Sequence, residues 1–189
     1  MTKMDRYDAL RTEVASMRRQ RVESKYGLIP ASVCHLEKLV AAATADEDRA
    51  VLYSLLIGEC SRARNDPLYI ECLRNRVRDL SNDPTSHAGH AFALAVVGSQ
   101  HRVEALDAAY RAVELAKSQV RLVRYCATNL VRVALVLNDY DALQRGLKEL
   151  VGDATRTRRE DTGYEFDFVD QIDIQRCDAK LLAEYKALA

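Results

Sequence analysis

Apolar residues recur at steps of three and four almost everywhere along this chain, and no stretch alternates cleanly for long. That spacing marks amphipathic helices, whose 3.6-residue turn brings such positions onto one face. A first helix is predicted from about Lys3 to Glu23, with Tyr7, Leu10, Val14 and Met17 on one face, and YGLIP at 26–30 breaks it. A second follows Pro30 through Val33, Leu36, Leu39 and Val40. TADED at 44–48 then turns the chain into a third, carrying Val51, Leu52, Leu55, Leu56 and Cys60. The triplet NDP stands at 65–67 and again at 82–84, far enough apart for one short helix and its turn. Asp66 and Asp83 suit helix caps, and Pro67 and Pro84 suit a first turn, where no amide donor is needed. The fifth helix runs to Gly98, which can supply a left-handed stop. VEALDAAYRAVELAKS at 103–118 is the sixth, dense in alanines that let a neighbouring helix come close. A seventh spans about Val120 to Leu137, NDYD at 138–141 turns, and an eighth ends near Val151. Polar GDATRTRREDT at 152–162 is predicted to be an exposed loop. YEFDFVDQIDI at 164–174 alternates, so it is either an extended lead into the last helix or that helix's amphipathic start.

Composition narrows this further. Seven glycines and three prolines are too few for a β-sandwich or barrel of 189 residues. With 48% hydrophobic and 30% charged residues, the chain reads as one ordinary globular domain able to bury its own core. Within it, 1–80 holds the N-terminal helices, 82–151 a set of helix hairpins, and 152–189 the charged loop, the acidic–aromatic segment and a final helix. Lys plus Arg balance Asp plus Glu at 28 each, which argues against nucleic acid as a partner. The longest apolar runs, such as LVRVALVL at 130–137, are too short for a membrane span, and the N-terminus lacks an apolar signal core. A cytoplasmic location is expected. The five cysteines, Cys34, Cys60, Cys72, Cys126 and Cys177, are odd in number and have no CxxC spacing, so buried reduced thiols are expected.

An internal echo bears on architecture. VEALDAAYRAVEL at 103–115 aligns with YDALQRGLKELV at 140–151 at an offset of 37, pairing Ala105 with Ala142, Leu106 with Leu143, Ala109 with Gly146 and Tyr110 with Leu147. Over 88–151 the chain resembles a degenerate tetratricopeptide-type α-solenoid, whose second helices carry two spaced small residues with an aromatic between them, as Ala105, Ala112 and Tyr110 do. The period exceeds the family's 34 residues, the aromatic is displaced by one position, and most of the first-helix pattern is missing. The resemblance implies antiparallel hairpins stacked as a short solenoid or a compact bundle, and a role in recognising proteins or peptides. The expected fold is all-α, with eight or nine helices.

Candidate chemistry is sparse. His87 and His90 would share a helix face as metal ligands can, but no carboxylate or cysteine sits beside them at ligand spacing, so they are expected to be exposed first-turn side chains. Cys34 and His35 are adjacent and point to different helix faces, a poor nucleophile–base pair. No nucleophile elbow or phosphate-binding loop occurs, and no cofactor or metal is expected. Two surfaces stand out instead. Arg121, Arg124 and Arg132 fall with Thr128 in a stripe about 80° wide on an otherwise apolar helix, suited to forking onto a partner's carboxylates. Between Glu160 and Asp178 seven acids face Arg176 alone, interleaved with aromatics: Tyr164, Glu165, Phe166, Asp167, Phe168 and Asp170 form its core. Such a segment suits a basic partner, or it could turn back and plug the arginine groove. The expectation is a non-enzymatic module that binds another protein or peptide. The alternatives are an immunity or antitoxin protein covering a basic toxin, and an enzyme or regulator without a recognisable motif.

Overall fold

The computed structural model describes residues 3–156 and 176–187. Among the described residues the chain is all-α apart from one small hairpin, and it divides into two compact units, Met1–Leu80 and Ser81–Ala189.

In the first unit α1 (Lys3–Met17) is followed by β1 (Arg21–Ser24) and β2 (Gly27–Pro30), then α2 (Ala31–Ala42), α3 (Asp46–Arg62) and α4 (Asp66–Asp79). The first helix is therefore shorter than predicted. Residues 21–30 form an antiparallel hairpin in which Val22 pairs with Ile29 and Ser24 with Gly27. Its turn closes locally: Gly27 takes φ +85°, and the Ser24 hydroxyl accepts from the Tyr26 amide and donates to the Gly27 carbonyl. Ile29 is buried, which fastens the hairpin to the core built by Val14, Val33, Leu36, Leu56 and Leu68. The two NDP triplets cap differently. Asn65, not Asp66, receives the Leu68 amide at the start of α4. In the second triplet Asp83 itself accepts from Thr85 and Ser86.

The second unit comprises α5 (Pro84–Val97), a 3₁₀ turn at Ser99–His101, α6 (Arg102–Ser118), α7 (Val123–Leu137), α8 (Tyr140–Arg156) and α9 (Ala179–Lys186). Gly98 ends α5 at φ +158°, not in the left-handed helical region that was expected. Helices α5 and α6 form one antiparallel hairpin, and α7 and α8 a second. Helix α7 also packs on both α5 and α6, and α9 rests on α8. The alanines of the sixth helix are what this arrangement needs. Ala105, Ala108, Ala109, Ala112 and Ala116 are all buried, so α6 is met closely on two sides. The same logic returns one hairpin later, where a Cβ on Gly146 would stand 2.7 Å from Val131 Cγ2.

Two boundaries move. Helix α7 starts at Val123 because Val120 and Leu122 sit at φ +52° and +59°, a left-handed backbone that costs a β-branched residue most. Helix α8 continues to Arg156, so the polar segment predicted as a loop from Gly152 begins as helix. Among the described residues, no helix is long and apolar enough to cross a membrane.

Candidate functional site

A helix that touches three others keeps only a narrow strip of its surface free, and α7 touches α5, α6 and α8. Its buried side chains, among them Cys126, Leu130, Val131, Val133, Ala134 and Leu137, account for the packed faces. The remaining strip carries Tyr125, Thr128, Arg132 and Val136, at steps that keep them on one face. Tyr125 and Val136 are 46% and 49% exposed.

The neighbouring helix repeats the device. Along α5 the inward positions are small or satisfied, with Ala88, Ala91, Leu94 and Ala95 buried, while Phe92 and Val96 point outward at 38% and 60% exposure. Phe92 and Val96 stand four apart on α5, as Arg132 and Val136 do on α7. Both helices rest on α6 and touch each other. The Cys126 Sγ–Pro84 carbonyl contact at 3.9 Å fixes the alignment of their first turns. At that same end the strained turn leaves Val120 and Leu122 exposed beside Tyr125. Apolar side chains gathered on one face, some on strained backbone, mark interaction surfaces more often than inert ones.

The predicted arginine stripe is partly rearranged. Arg124, Thr128 and Arg132 do share α7 and are half-buried. Arg121 is not on the helix: it lies in the preceding turn, fully outside the stripe, and its Nε donates to Gln119 Oε1 at 2.7 Å. The left-handed residues on either side of it are the reason. Gln119 in turn donates to the Asn82 carbonyl at 2.6 Å, tying this turn to the start of α5. Tyr164, Glu165, Phe166, Asp167, Phe168 and Asp170 all lie outside the described residues.

The histidines overturn their expected exposure. His87 and His90 are buried, at 8% and 4%. His87 Nε2 pairs with the Ser81 carbonyl at 2.9 Å, and His90 Nε2 lies 3.1 Å from Glu104 Oε1 on α6. That carboxylate, 14 residues away, was invisible to local spacing. His90 and Glu104 together tie α5 to α6, and His101 Nδ1 stands 4.0 Å from the same carboxylate. Among the described residues, no group of three or more His, Cys, Asp or Glu is placed to hold a metal ion. Cys60, Cys72, Cys126 and Cys177 are buried free thiols, as expected, with Cys34 half-buried. Burial pushes the Cys126 thiol up to about 12, away from nucleophilic use.

Phe92 and Val96 are the residues that sequence reasoning missed. The signal was there: they are large apolar residues four apart in HAGHAFALAVV, where five of the other nine positions are Ala or Gly. Compared with known proteins, the chain matches no family model, no curated protein and no solved structure.

Proposed function

We propose that this chain is a non-enzymatic protein-interaction module, with tetratricopeptide-like character best over 88–151, and that the outward face of α5 and α7 is where it receives its partner. One observation carries the reading: the adjacent helices α5 and α7 expose Phe92, Val96, Tyr125 and Val136, and α7 also carries the half-buried Arg124 and Arg132. The four apolar side chains are between 38% and 60% exposed. A partner segment with an apolar face fits, because the aromatics supply contact area. Exposed ion pairs alone are worth about 0–1 kcal/mol each, so the apolar contacts must supply most of the affinity. The offset pairs Ala105/Ala142 and Ala109/Gly146, and the order in which α5 to α8 pack, support the repeat-like part of the reading.

The test compares capture from native lysate by the unaltered chain, by Phe92→Ser with Tyr125→Ser, by Arg132→Glu, and by Phe166→Ser with Phe168→Ser. Circular dichroism checks each fold. A partner lost by the first two variants, with helicity kept, supports the face. A partner lost only with Phe166 and Phe168 moves the site to the acidic segment, and a basic partner would then favour the immunity-protein alternative.

A further inference from the structure

The unit Met1–Leu80 holds a second kind of site, unrelated to the α5–α7 face. Helices α1, α2 and α3 enclose a cavity of about 700 Å³, the size of pockets that take small organic ligands. Leu10, Leu39 and Leu52 give it an apolar wall, one leucine from each helix. Its polar groups gather elsewhere on the lining. Tyr7 donates its hydroxyl to Asp48 Oδ1 at 2.8 Å, and His35 Nε2 stands 3.3 Å from Glu13 Oε1. That histidine nitrogen is shielded from solvent, yet it is not aligned for a hydrogen bond with the carboxylate. A shielded polar atom without a hydrogen-bond partner is costly unless something completes it.

We propose that this cavity binds a small organic cation: a protonated amine carried on an apolar body. Among the described residues the lining has the carboxylates of Glu13 and Asp48 and neither lysine nor arginine, and Glu13, beside the unsatisfied His35 nitrogen, draws a cation and repels an anion. The leucine wall takes the apolar body. The amine sits beside Glu13, with its N–H groups placed to complete the Glu13–His35 pair. A neutral isostere would keep the apolar contact and lose the charge, and a carboxylate would meet like charge.

The experiment uses the full chain and three probes of one shape: 1-naphthylmethylamine, 1-naphthylmethanol and 1-naphthoate. Methyl signals of Leu10, Leu39 and Leu52 are followed by nuclear magnetic resonance during titration. The amine is expected to saturate with a Kd on the order of millimolar or tighter, the alcohol to bind more weakly and the naphthoate not to bind. Glu13→Gln should weaken the amine on the order of tenfold and leave the alcohol unchanged. Ala42 is exposed at the lining, so Ala42→Phe fills the cavity without touching the core and should abolish binding with helicity and melting temperature kept. No saturable shift with the amine overturns the proposal, as does equal binding of naphthoate. Unchanged amine binding in either folded variant does so too.

Discussion

In Met1–Leu80 the helices are tied by charged and hydroxyl groups that reach across dozens of residues, whereas in Ser81–Ala189 they close on alanine and glycine. The first unit is organised around Glu59, a carboxylate only 3% exposed in its side chain. Arg18 from the end of α1 grips it through Nε at 2.9 and 3.1 Å, Ser32 from α2 donates at 2.9 Å, and Arg62 donates at 2.6 Å. Tyr53 donating to Asp79 at 2.6 Å ties α3 to α4, and Tyr26 donating to Glu71 ties the hairpin to α4. In the second unit the equivalent joints are Ala105, Ala109, Ala112 and Gly146, and the ion pairs lie toward the outside. Arg102 with Asp139, Lys117 with Glu149 and Arg145 with Glu114 are all partly exposed. A second contrast goes with it: among the described residues Leu28 is the one exposed large apolar side chain of the first unit, whereas Phe92, Val96, Val103, Val120, Leu122, Tyr125 and Val136 are exposed in the second. Small residues line the helix joints of the second unit, while Leu36, Tyr53 and Leu56 fill the core of the first.

If that contrast holds, removing Glu59 should hurt one unit alone. Glu59→Ala is expected to destabilise Met1–Leu80 by about 3 kcal/mol. This is the low end for breaking a buried ion pair, because both guanidiniums reach solvent. Hydrogen exchange should show the amides of α1 to α3 losing protection while those of α5 to α8 keep theirs. Equal loss in both would mean that the hub is not local.

The next largest effect belongs to the other unit. Gly146→Ala places a methyl 2.7 Å from Val131 Cγ2 and 3.2 Å from the Val131 amide nitrogen, and the valine is fully buried and stiff at χ1. A loss of about 2 kcal/mol is expected, read as reduced protection in α7 and α8. Ala109→Leu, its counterpart one hairpin earlier, should fall within about 1–3 kcal/mol. If both were silent, the close approach of these helices would be wrong.

Acid should separate the units as well. Burial is the largest single influence on Glu59 and pushes its carboxyl up, but the hydrogen bonds from Arg18 and Ser32 and the nearby guanidiniums outweigh it. The folded pKa is therefore depressed. Such a group contributes stability that is fully present above the unfolded pKa of about 4.3 and is lost as pH falls through the folded value. Asp79, where burial also pulls upward but Tyr53 and Arg78 prevail, has the same sign. The urea midpoint of Met1–Leu80 should be flat from neutral pH down to about 5 and then fall, and Glu59→Gln should shallow that fall. A midpoint that rises on acidification would contradict the sign.

Much of this second unit was legible in sequence. The alanine spacing of 103–118 announced a close neighbour, and its echo at 140–151 located Gly146 at the matching joint. The first unit was less legible, because Glu59 draws on partners 41 and 27 residues away and no local pattern encodes such pairs. The hairpin at 21–30 escaped because four-residue strands are too short for a period-two pattern to outweigh helical spacing. Leu122 in left-handed backbone was invisible for another reason. Nothing in that residue favours it, and the ties from Gln119 to Asn82 and from the Arg121 amide to Ala116 hold the turn. Arg124 and Arg132 accordingly share α7, while Arg121 stands in the turn before it.

The smallest effect is the sharpest, because it reverses sign within one unit. Gly89 lies inside α5, and a Cβ built there meets nothing within 4 Å. Glycine in a helix interior is less favourable than alanine by about 0.5–1 kcal/mol, since the unfolded chain loses more freedom on ordering it. Gly89→Ala is therefore expected to raise stability by roughly that amount, while Gly146→Ala lowers it, although both put the same methyl on a helix of Ser81–Ala189. Paired urea melts of the two variants read the difference directly. Should Gly89→Ala be destabilising instead, something approaches that stretch of α5 as closely as Val131 approaches Gly146, and the face carrying Phe92 and Val96 is already covered.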